Sequence, residues 1–277
     1  MLTIAIFGAA GNMGTRVSNR LKDDPEYRLL FVEAGETGEA KLRERGLTAT
    51  RSGQAVAEAD VVFLAVPDKL ILGIAAEVVP ELKGGTIVVC LDPAAPYSRR
   101  LPERDDITYF VTHPTHPPVF NDETDLEAKR DFFGSGLAKQ SIVCALLQGP
   151  EEHYAVGEQI ARKVFGPLLR SHRVTVDQMA LLEPVLAETV GCTCLAVIRE
   201  ALDEAVRRGV PADAARDFIL GHVNIALAIL FNETDWQFSD GAKRAIALAK
   251  EQLFKPDWKK VFEPQVVRAS VATITGS

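Results

Sequence analysis

The sequence predicts an α/β fold in which a Rossmann-type, doubly wound parallel sheet is followed by an all-helical C-terminal domain. Three features of the sequence support this prediction. Short apolar runs alternate with helix-like stretches as far as Val176, a glycine-rich motif joins the first run to the first helical stretch, and no strand pattern occurs after Val176. We therefore divide the chain into residues 1–176 and residues 177–277.

Seven apolar runs are the predicted strands of one sheet. Continuous runs of this length are typical of strands buried on both faces, and the helical stretches between them favour parallel pairing. The runs are Leu2–Phe7, Arg28–Val32, Val61–Val66, Thr86–Leu91, Ile107–Thr112, Ser141–Gln148 and His172–Val176.

Three stretches between these runs have the spacing of helices. Asn12–Lys22 and Lys69–Pro80 are the first two. Glu151–Phe165 is the third, and Pro150 with two glutamates in the first turn indicates where it begins.

Three further helices are predicted in the C-terminal domain. Asp177–Arg208 is one long helix, broken only at Pro184 and ended by Gly209. Pro211–Phe231 follows, and its later half is apolar nearly all round, so it must be deeply buried. In so small a domain a subunit interface is a natural place for this helix, which predicts a homodimer. Asp240–Phe254 is the last helix.

Composition excludes several classes of protein. The chain is 47% hydrophobic and 25% charged, which is typical of a globular protein, and its net charge of −7 argues against nucleic-acid binding. Apolar stretches such as Ile225–Phe231 are too short to span a bilayer, and no basic residue precedes Arg16, so we expect neither a membrane partner nor a secretory signal. The four cysteines form no CxxC pair, which favours a reduced, cytoplasmic protein.

The glycine-rich motif is the strongest local signal of a bound cofactor. In the sequence GAAGNMG, Gly8 permits a tight turn, Gly11 lets backbone N–H groups approach a pyrophosphate, and Gly14 lets the helix pack close to the strand. Asn12 and Met13 lie between the last two glycines and belong to the predicted cofactor site. The GxxGxxG spacing is a variation of GxGxxG, but the strand–loop–helix context is the expected one.

Two acidic residues follow the ends of predicted strands. Glu33 comes after the second run, where a carboxylate accepts hydrogen bonds from the adenosine ribose and repels a 2′-phosphate, so we predict NAD rather than NADP. A solvated loop residue is the alternative. Asp68 lies where a dinucleotide crosses the sheet edge and either contacts the cofactor or caps the next helix. The segment 91–93 ends the following strand and is expected to border the nicotinamide.

The segment YFVTHPTHPP, residues 109–118, supplies the candidate catalytic group. His113 lies at the carboxyl tip of a strand, where ligands bind in open α/β sheets. The prolines prevent a helix, so His113 and His116 are expected to point to opposite sides and not to form a joint HxxH metal site. We predict His113 as the catalytic residue, with a histidine that only hydrogen-bonds the loop as the alternative. The role of His116 stays open.

Glu183 is the second candidate for catalysis. It lies early in the long helix among apolar neighbours, so it must face water, a partner or a metal ion. Glu188 is about 140° further around the helix and does not share its face, and its role stays open. A divalent cation of the zinc or magnesium class, held by His113 and Glu183, would leave positions for the oxygens of an α-hydroxy acid. A surface glutamate near a kink is the alternative.

The layout resembles the group that contains 6-phosphogluconate dehydrogenase, prephenate dehydrogenase and ketol-acid reductoisomerase. Most of the chain is more specifically similar to the D-apionate oxidoisomerase family. The segments that carry this resemblance are Gly8–Gly14, Tyr109–Asp122, Gln148–Tyr154 and Arg170–Val176.

The resemblance implies an NAD-dependent reaction on a branched sugar acid in apiose breakdown. The α-hydroxyl of D-apionate would be oxidised to a ketone and an acyloin-type 1,2-shift would follow, giving 3-oxo-isoapionate. A metal ion that bridges two adjacent oxygens would assist the shift. The resemblance places that ion at His113 and Glu183.

Two other functions remain open at this point. One is a simple NAD-dependent hydroxy-acid or prephenate-type dehydrogenase without rearrangement, in which His113 bonds the substrate hydroxyl. The other is a regulator that senses a nucleotide without turnover, against which the histidine segment argues. The chain lacks the lysine pattern of a simple β-hydroxyacid dehydrogenase, which favours the metal-assisted reaction.

Overall fold

The computed structural model describes residues 1–276, and within that range it contains a sheet of seven strands in the order β2-β1-β3-β4-β5-β6-β7. Strands β1 to β5 are parallel, as the Rossmann prediction requires. The strands are β1 (Leu2–Phe7), β2 (Tyr27–Val32), β3 (Val61–Leu64), β4 (Ile87–Cys90), β5 (Thr108–Pro114), β6 (Gln140–Gln148) and β7 (Leu168–Arg173).

The sixth strand corrects the prediction of a fully parallel sheet. β6 runs antiparallel to β5, with Pro114 opposite Ile142, and β7 runs parallel to β6. Parallel pairing requires a crossover connection, but residues 115–139 contain only a short 3₁₀ turn at Ala128–Arg130. The chain therefore turns back at the edge where β5 ends.

The helices surround this sheet or follow it. The sequence pattern does not predict α2, α3, α5 or α11; α2, for example, buries only Leu42, so its apolar periodicity is weak. The helices are α1 (Asn12–Leu21), α2 (Glu36–Glu44), α3 (Ser52–Glu58), α4 (Asp68–Val78), α5 (Ala94–Tyr97), α6 (Glu151–Phe165), α7 (Val176–Ala180), α8 (Thr193–Arg207), α9 (Ala212–Leu230), α10 (Asp240–Leu253) and α11 (Pro264–Thr275).

The long helix differs from its prediction at both its start and Pro184. Thr175, which we assigned to the last strand, instead caps α7 through reciprocal hydrogen bonds with Gln178. The break predicted at Pro184 does not occur, because the π-helical segment Leu181–Cys192 joins α7 to α8. A π turn is wider than an α turn, and we attribute the continuity of the helix past the proline ring to this width.

Two buried clusters cover the two faces of the sheet. Neighbouring strand residues contribute to opposite clusters: Phe7 and Leu64 to one, Ile6 and Phe63 to the other. Helices α4 and α7 pack on the first face, and α1 and α6 pack on the second. The strands are therefore held in register and their carboxyl ends form one edge.

The chain forms two compact units whose limits differ from the predicted boundary at 176/177. The first unit contains Met1–Pro184 together with residues 267–276, and the second contains Val185–Val266. Met179 is buried in the core beside the sheet, so α7 belongs to the first unit. Val271 on α11 is also buried, which returns the C-terminal helix to that unit.

The second unit buries very few of its own residues. Helices α8 and α10 bury none, and α9 buries only Ala215, although its composition predicts a deeply buried helix. The helical run Val176–Arg207 is long and apolar enough to cross a membrane. Buried helices of soluble proteins meet the same criterion of length and composition. The apolar faces of this unit are therefore exposed in the single chain.

Candidate active site

The glycine-rich loop has a geometry that only glycine can supply. Gly8 has φ +80°, and a Cβ atom there would lie 2.5 Å from the Ala65 carbonyl oxygen. A Cβ atom at Gly14 would lie 2.1 Å from the Gly8 carbonyl oxygen, so α1 could not pack this close to the loop. Gly11 precedes Asn12 at the start of α1 and provides no side-chain cap, which leaves first-turn N–H groups able to bind a phosphate.

Glu33 is folded against this loop. Its carboxylate accepts a hydrogen bond from the Ala10 N–H, and a second from the Ala34 N–H at 3.3 Å. A Cβ atom at Gly38 would lie 2.6 Å from Glu33 Oε2, so the glycine makes room for the carboxylate. The acidic group at the end of β2 is thus held beside the loop, in the position from which such a residue reaches an adenosine ribose.

Arg45 braces the same loop and was not found from the sequence. Its guanidinium donates to the Ala9 carbonyl at 3.2 Å, to Thr15 Oγ1 at 3.1 Å, to Ser18 Oγ at 2.5 Å and to Asn19 Oδ1 at 3.1 Å. These bonds tie the loop to α1 from the end of α2. No local sequence motif predicts this role, because the hydrogen-bond partners of Arg45 lie 26 to 36 residues away in the sequence.

A cleft of about 460 Å³ opens beside the glycine-rich loop, at the carboxyl edge of the sheet. The loop and the end of β3 form one side, and residues after β4 and β5 form another. Its lining includes Gly11, Asn12, Met13, Asp68, Leu91, Asp92, His113, Pro114, His116 and Phe133. Five of the nine predicted site residues therefore line one cavity. The other four, which are not part of its lining, are Gly8, Gly14, Glu33 and Glu183.

His113 is oriented by the neighbouring strand. Its Nδ1 lies 2.8 Å from the carbonyl oxygen of Leu91, the residue after β4. A carbonyl oxygen only accepts hydrogen bonds, so Nδ1 carries the hydrogen. Nε2 then points to Glu183, with 3.4 Å between Nε2 and Glu183 Oε2. The pair predicted from sequence is therefore brought together.

His113 Nε2 and the Glu183 carboxylate face each other, and they need a positive charge between them. In the neutral ring, Nε2 and the Glu183 carboxylate would both be acceptors. Burial opposes charge on His113, but the hydrogen bond and charge of Glu183 outweigh it and raise the pKa of His113. The His113 hydrogen bond likewise lowers the pKa of Glu183. A proton satisfies the pair, and a divalent cation could replace it.

Two further carboxylates lie at the cleft. Burial raises the pKa of Asp92 to about 6, against a hydrogen bond from the Ala94 N–H, and the charge of Asp68 adds to the shift. Burial also raises the pKa of Asp68. Asp68 does not cap α4, since Pro67 is the cap residue and no side-chain cap bond is present. A carboxyl group that titrates near neutrality is suited to general acid–base work.

His116 corrects one expectation. We expected it to point away from His113, but both residues line the cleft and their ring centres are 6.5 Å apart. The expectation assumed extended backbone, whereas His116 has φ +59°, which turns the side chain back. Phe133, which the sequence analysis did not identify, packs against this ring with 5.2 Å between ring centres.

The donor set at His113 and Glu183 fits a divalent metal ion. A histidine that binds a metal through one nitrogen usually donates its other N–H to a carbonyl or carboxylate, as His113 does to Leu91. Among residues 1–276, no group of three or more His, Cys, Asp and Glu side chains is assembled for a metal.

Two protein-family models match separate parts of the chain. Residues 121–275 match the family model described as phosphogluconate dehydrogenase (decarboxylating) C-term. Residues 3–93 match the model described as NADP oxidoreductase, coenzyme F420-dependent. The resemblance to 6-phosphogluconate dehydrogenase inferred from the layout is thereby confirmed.

Individual relatives cover nearly the whole chain. A D-apionate oxidoisomerase from Cupriavidus necator is 54% identical over 274 residues, covering 98% of this chain and 99% of that protein. A second, from Rhizobium rhizogenes, is 52% identical over 276 residues and covers 99% and 100%. A crystal structure from Cupriavidus necator, described as a semialdehyde dehydrogenase NAD-binding protein in complex with calcium and NAD, has a TM-score of 0.96 and 52% identity, covering 99% and 100%.

The predominantly parallel sheet, the glycine-rich loop and the helical C-terminal region define a Rossmann-type oxidoreductase of the 6-phosphogluconate dehydrogenase group. The cleft beside that loop is where such a fold binds its dinucleotide. Within this group, the chain belongs to the D-apionate oxidoisomerase family. The family predicted from four sequence segments is confirmed.

Replacing Arg45 with alanine should raise the Kd for NAD about tenfold, because the loop loses the bonds that fix it to α1. Isothermal titration with NAD measures the change, and Arg45→Lys should retain part of the affinity. Arg43→Ala is the matched control, since Arg43 is exposed and pairs only with Glu39 among the described contacts. An Arg45→Ala protein that binds NAD like the native chain would contradict the role.

Proposed function

We propose that this protein is an NAD-dependent oxidoisomerase that acts on the branched sugar acid D-apionate. The observation that carries the proposal is the His113–Glu183 pair at a cleft bounded by the glycine-rich loop. This arrangement places a dinucleotide site next to two groups that can hold a divalent cation. The relatives named for this activity align with nearly every residue of the chain.

The proposed reaction joins an oxidation to a rearrangement. The α-carbon gives a hydride to the nicotinamide of NAD and its hydroxyl loses a proton, which leaves a ketone. A carbon substituent then moves with its bonding electrons from the neighbouring carbon to the ketone carbon. The neighbouring hydroxyl loses its proton and becomes the new carbonyl, while the former ketone oxygen gains a proton. A divalent ion held by His113 and Glu183 would supply Lewis-acid polarisation of the reacting oxygens.

The residues of this chain position the reactants. Leu91 fixes the His113 ring and turns Nε2 toward Glu183, so that His113 Nε2 and the Glu183 carboxylate would be the two side-chain ligands of the ion. The glycine-rich loop and the start of α1 hold the pyrophosphate. Glu33 receives the ribose hydroxyls, and its negative charge disfavours a 2′-phosphate, which supports NAD over NADP.

Product analysis tests the activity directly. The purified protein, incubated with D-apionate, NAD and a divalent cation, should form NADH and a rearranged oxo acid. NADH absorbance follows the oxidation, and carbon NMR of the product distinguishes the rearranged skeleton from the original one. An unrearranged 2-oxo acid as the final product would identify a simple dehydrogenase instead. Binding of NAD with no turnover of any sugar acid would indicate a sensor.

A divalent ion at the His113–Glu183 pair is the second part of the proposal. We place it in the zinc or magnesium class, and the calcium in the related Cupriavidus necator structure supports a divalent site. Below the raised pKa of His113 the ion must displace the proton that the pair holds, so binding at such a pH should release a proton and should weaken further as the pH falls.

Glu183→Gln and His113→Ala should each weaken binding of the ion by at least about tenfold, because each removes one of two protein ligands. Isothermal titration in two buffers of different ionisation enthalpy measures both the affinity and the released proton. Glu200→Gln, an exposed glutamate on α8, is the control and should bind like the native chain. Equal affinity in all four proteins would remove the ion from this pair.

We also propose a homodimer formed through the second unit. The supporting observation is the number of large apolar side chains that its helices expose, including Phe218 and Leu230 on α9 and Leu248 on α10. Apolar surface on this scale requires a partner in water. Light scattering on the purified protein should give about twice the chain mass of 30.1 kDa. A monomer at micromolar concentration would contradict the dimer.

The cytoplasm is the proposed location. All four cysteines are free thiols, and Cys90 and Cys144 are buried in the sheet. Thiols that are kept reduced are typical of this compartment.

A further inference from the structure

His116 has a conformation that its surroundings must maintain. It is one of three non-glycine residues with positive φ in the described part of the chain, and it directly precedes Pro117. A residue before proline prefers extended backbone, so φ +59° is unfavourable here. The result is a ring that lines the cleft three residues after His113.

One tautomer of His116 is selected by a hydrogen bond. Its Nδ1 lies 3.0 Å from the carbonyl oxygen of Phe133. Since that oxygen can only accept, Nδ1 carries the hydrogen and Nε2 of the neutral ring is left as an acceptor. None of the hydrogen bonds described for the chain uses this Nε2.

The carbonyl that selects the tautomer lies in a braced loop. The buried Asp131 carboxylate accepts hydrogen bonds from Ser135 N at 2.7 Å, Ser135 Oγ at 2.6 Å and Leu137 N at 2.9 Å, and from two further backbone N–H groups. On the other side, Arg16 of α1 donates to the Gly134 carbonyl, and its guanidinium lies 5.4 Å from the Phe133 ring centre. The His116 ring is therefore positioned from the same helix that receives the cofactor.

We propose that His116 is a substrate-binding residue whose Nε2 accepts a hydrogen bond from a hydroxyl group of the sugar acid. The inference rests on the proposed function, because the oxygens held at His113 and Glu183 leave the remaining hydroxyls of the substrate to extend along the cleft. The two imidazole ring centres are 6.5 Å apart. A four-carbon chain built from C–C bonds of about 1.5 Å reaches this far with its terminal oxygens.

An acceptor at this position discriminates by chemistry. A hydroxyl hydrogen satisfies Nε2, whereas a deoxy analogue offers no donor and leaves Nε2 to water. His116 thus selects polyhydroxylated acids over simple 2-hydroxy acids.

Two substitutions separate this role from a structural one. In His116→Asn, the side-chain amide can replace the Nδ1–H bond to the Phe133 carbonyl and tolerates positive φ, but nothing replaces Nε2. In His116→Gln, the longer amide can place its oxygen near the former Nε2. His153→Asn is the control, since His153 bonds Thr108 through Nδ1 and does not line the cleft.

The test uses the NAD-loaded protein. It measures the binding of D-apionate, of a panel of four- and five-carbon sugar acids and of lactate, and it measures turnover of the same compounds. We expect His116→Asn to weaken sugar-acid binding about tenfold, to leave the Kd for NAD within about twofold and to leave lactate unaffected. His116→Gln should recover part of the loss, and the control should match the native chain.

The outcomes distinguish the two proposals. Native protein that binds sugar acids but does not convert D-apionate overturns the proposed function alone. Sugar-acid affinity that is unchanged in His116→Asn, or that falls in parallel with NAD affinity, overturns the role of His116 alone. Native protein that binds none of the sugar acids overturns both.

Discussion

The site depends on two acceptors that face each other. Because the Leu91 carbonyl takes the hydrogen of His113 Nδ1, Nε2 is turned toward the Glu183 carboxylate, and the pair is stable only with a positive charge between its atoms. The parallel pairing of β4 with β5 makes this possible, since Leu91 and His113 follow the pairing of these strands to the same edge. Glu183 reaches that edge because α7 packs on the sheet.

Helix α1 contacts both the side of the cleft formed by the glycine-rich loop and the side that contains His116. Its N-terminus carries the glycine-rich loop, and Arg16, near its middle, holds the segment that contacts His116. Arg45 fixes the same helix from the other side. A single helix that contacts both sides would help to hold the dinucleotide and the substrate at the distance that hydride transfer requires.

Local patterns in the sequence were sufficient to predict those elements of the fold that short segments of the chain determine. Strands β1 to β5, the glycine-rich loop and the position of His113 at the sheet edge follow from apolar runs, glycine spacing and the positions of strand ends. The pairing of His113 with Glu183 was predicted from the two-domain layout and the family resemblance. The antiparallel direction of β6 was missed, although the sequence shows no helix-like stretch between the fifth and sixth runs and therefore no crossover for parallel pairing. The roles of Arg45 and Phe133 were missed for a related reason, since their partners are distant in sequence.

The reversal of direction at β6 has a consequence for how this family can diversify. β5 ends and β6 begins at the same edge, so both ends of the intervening segment, residues 115–139, are anchored beside the cleft. Insertions or exchanges within that segment, away from the contact of Gly134 with Arg16, would reshape one wall of the cleft and leave the strand register as it is. Substitutions in this segment can therefore change which acid is recognised while the dinucleotide-binding loop is retained.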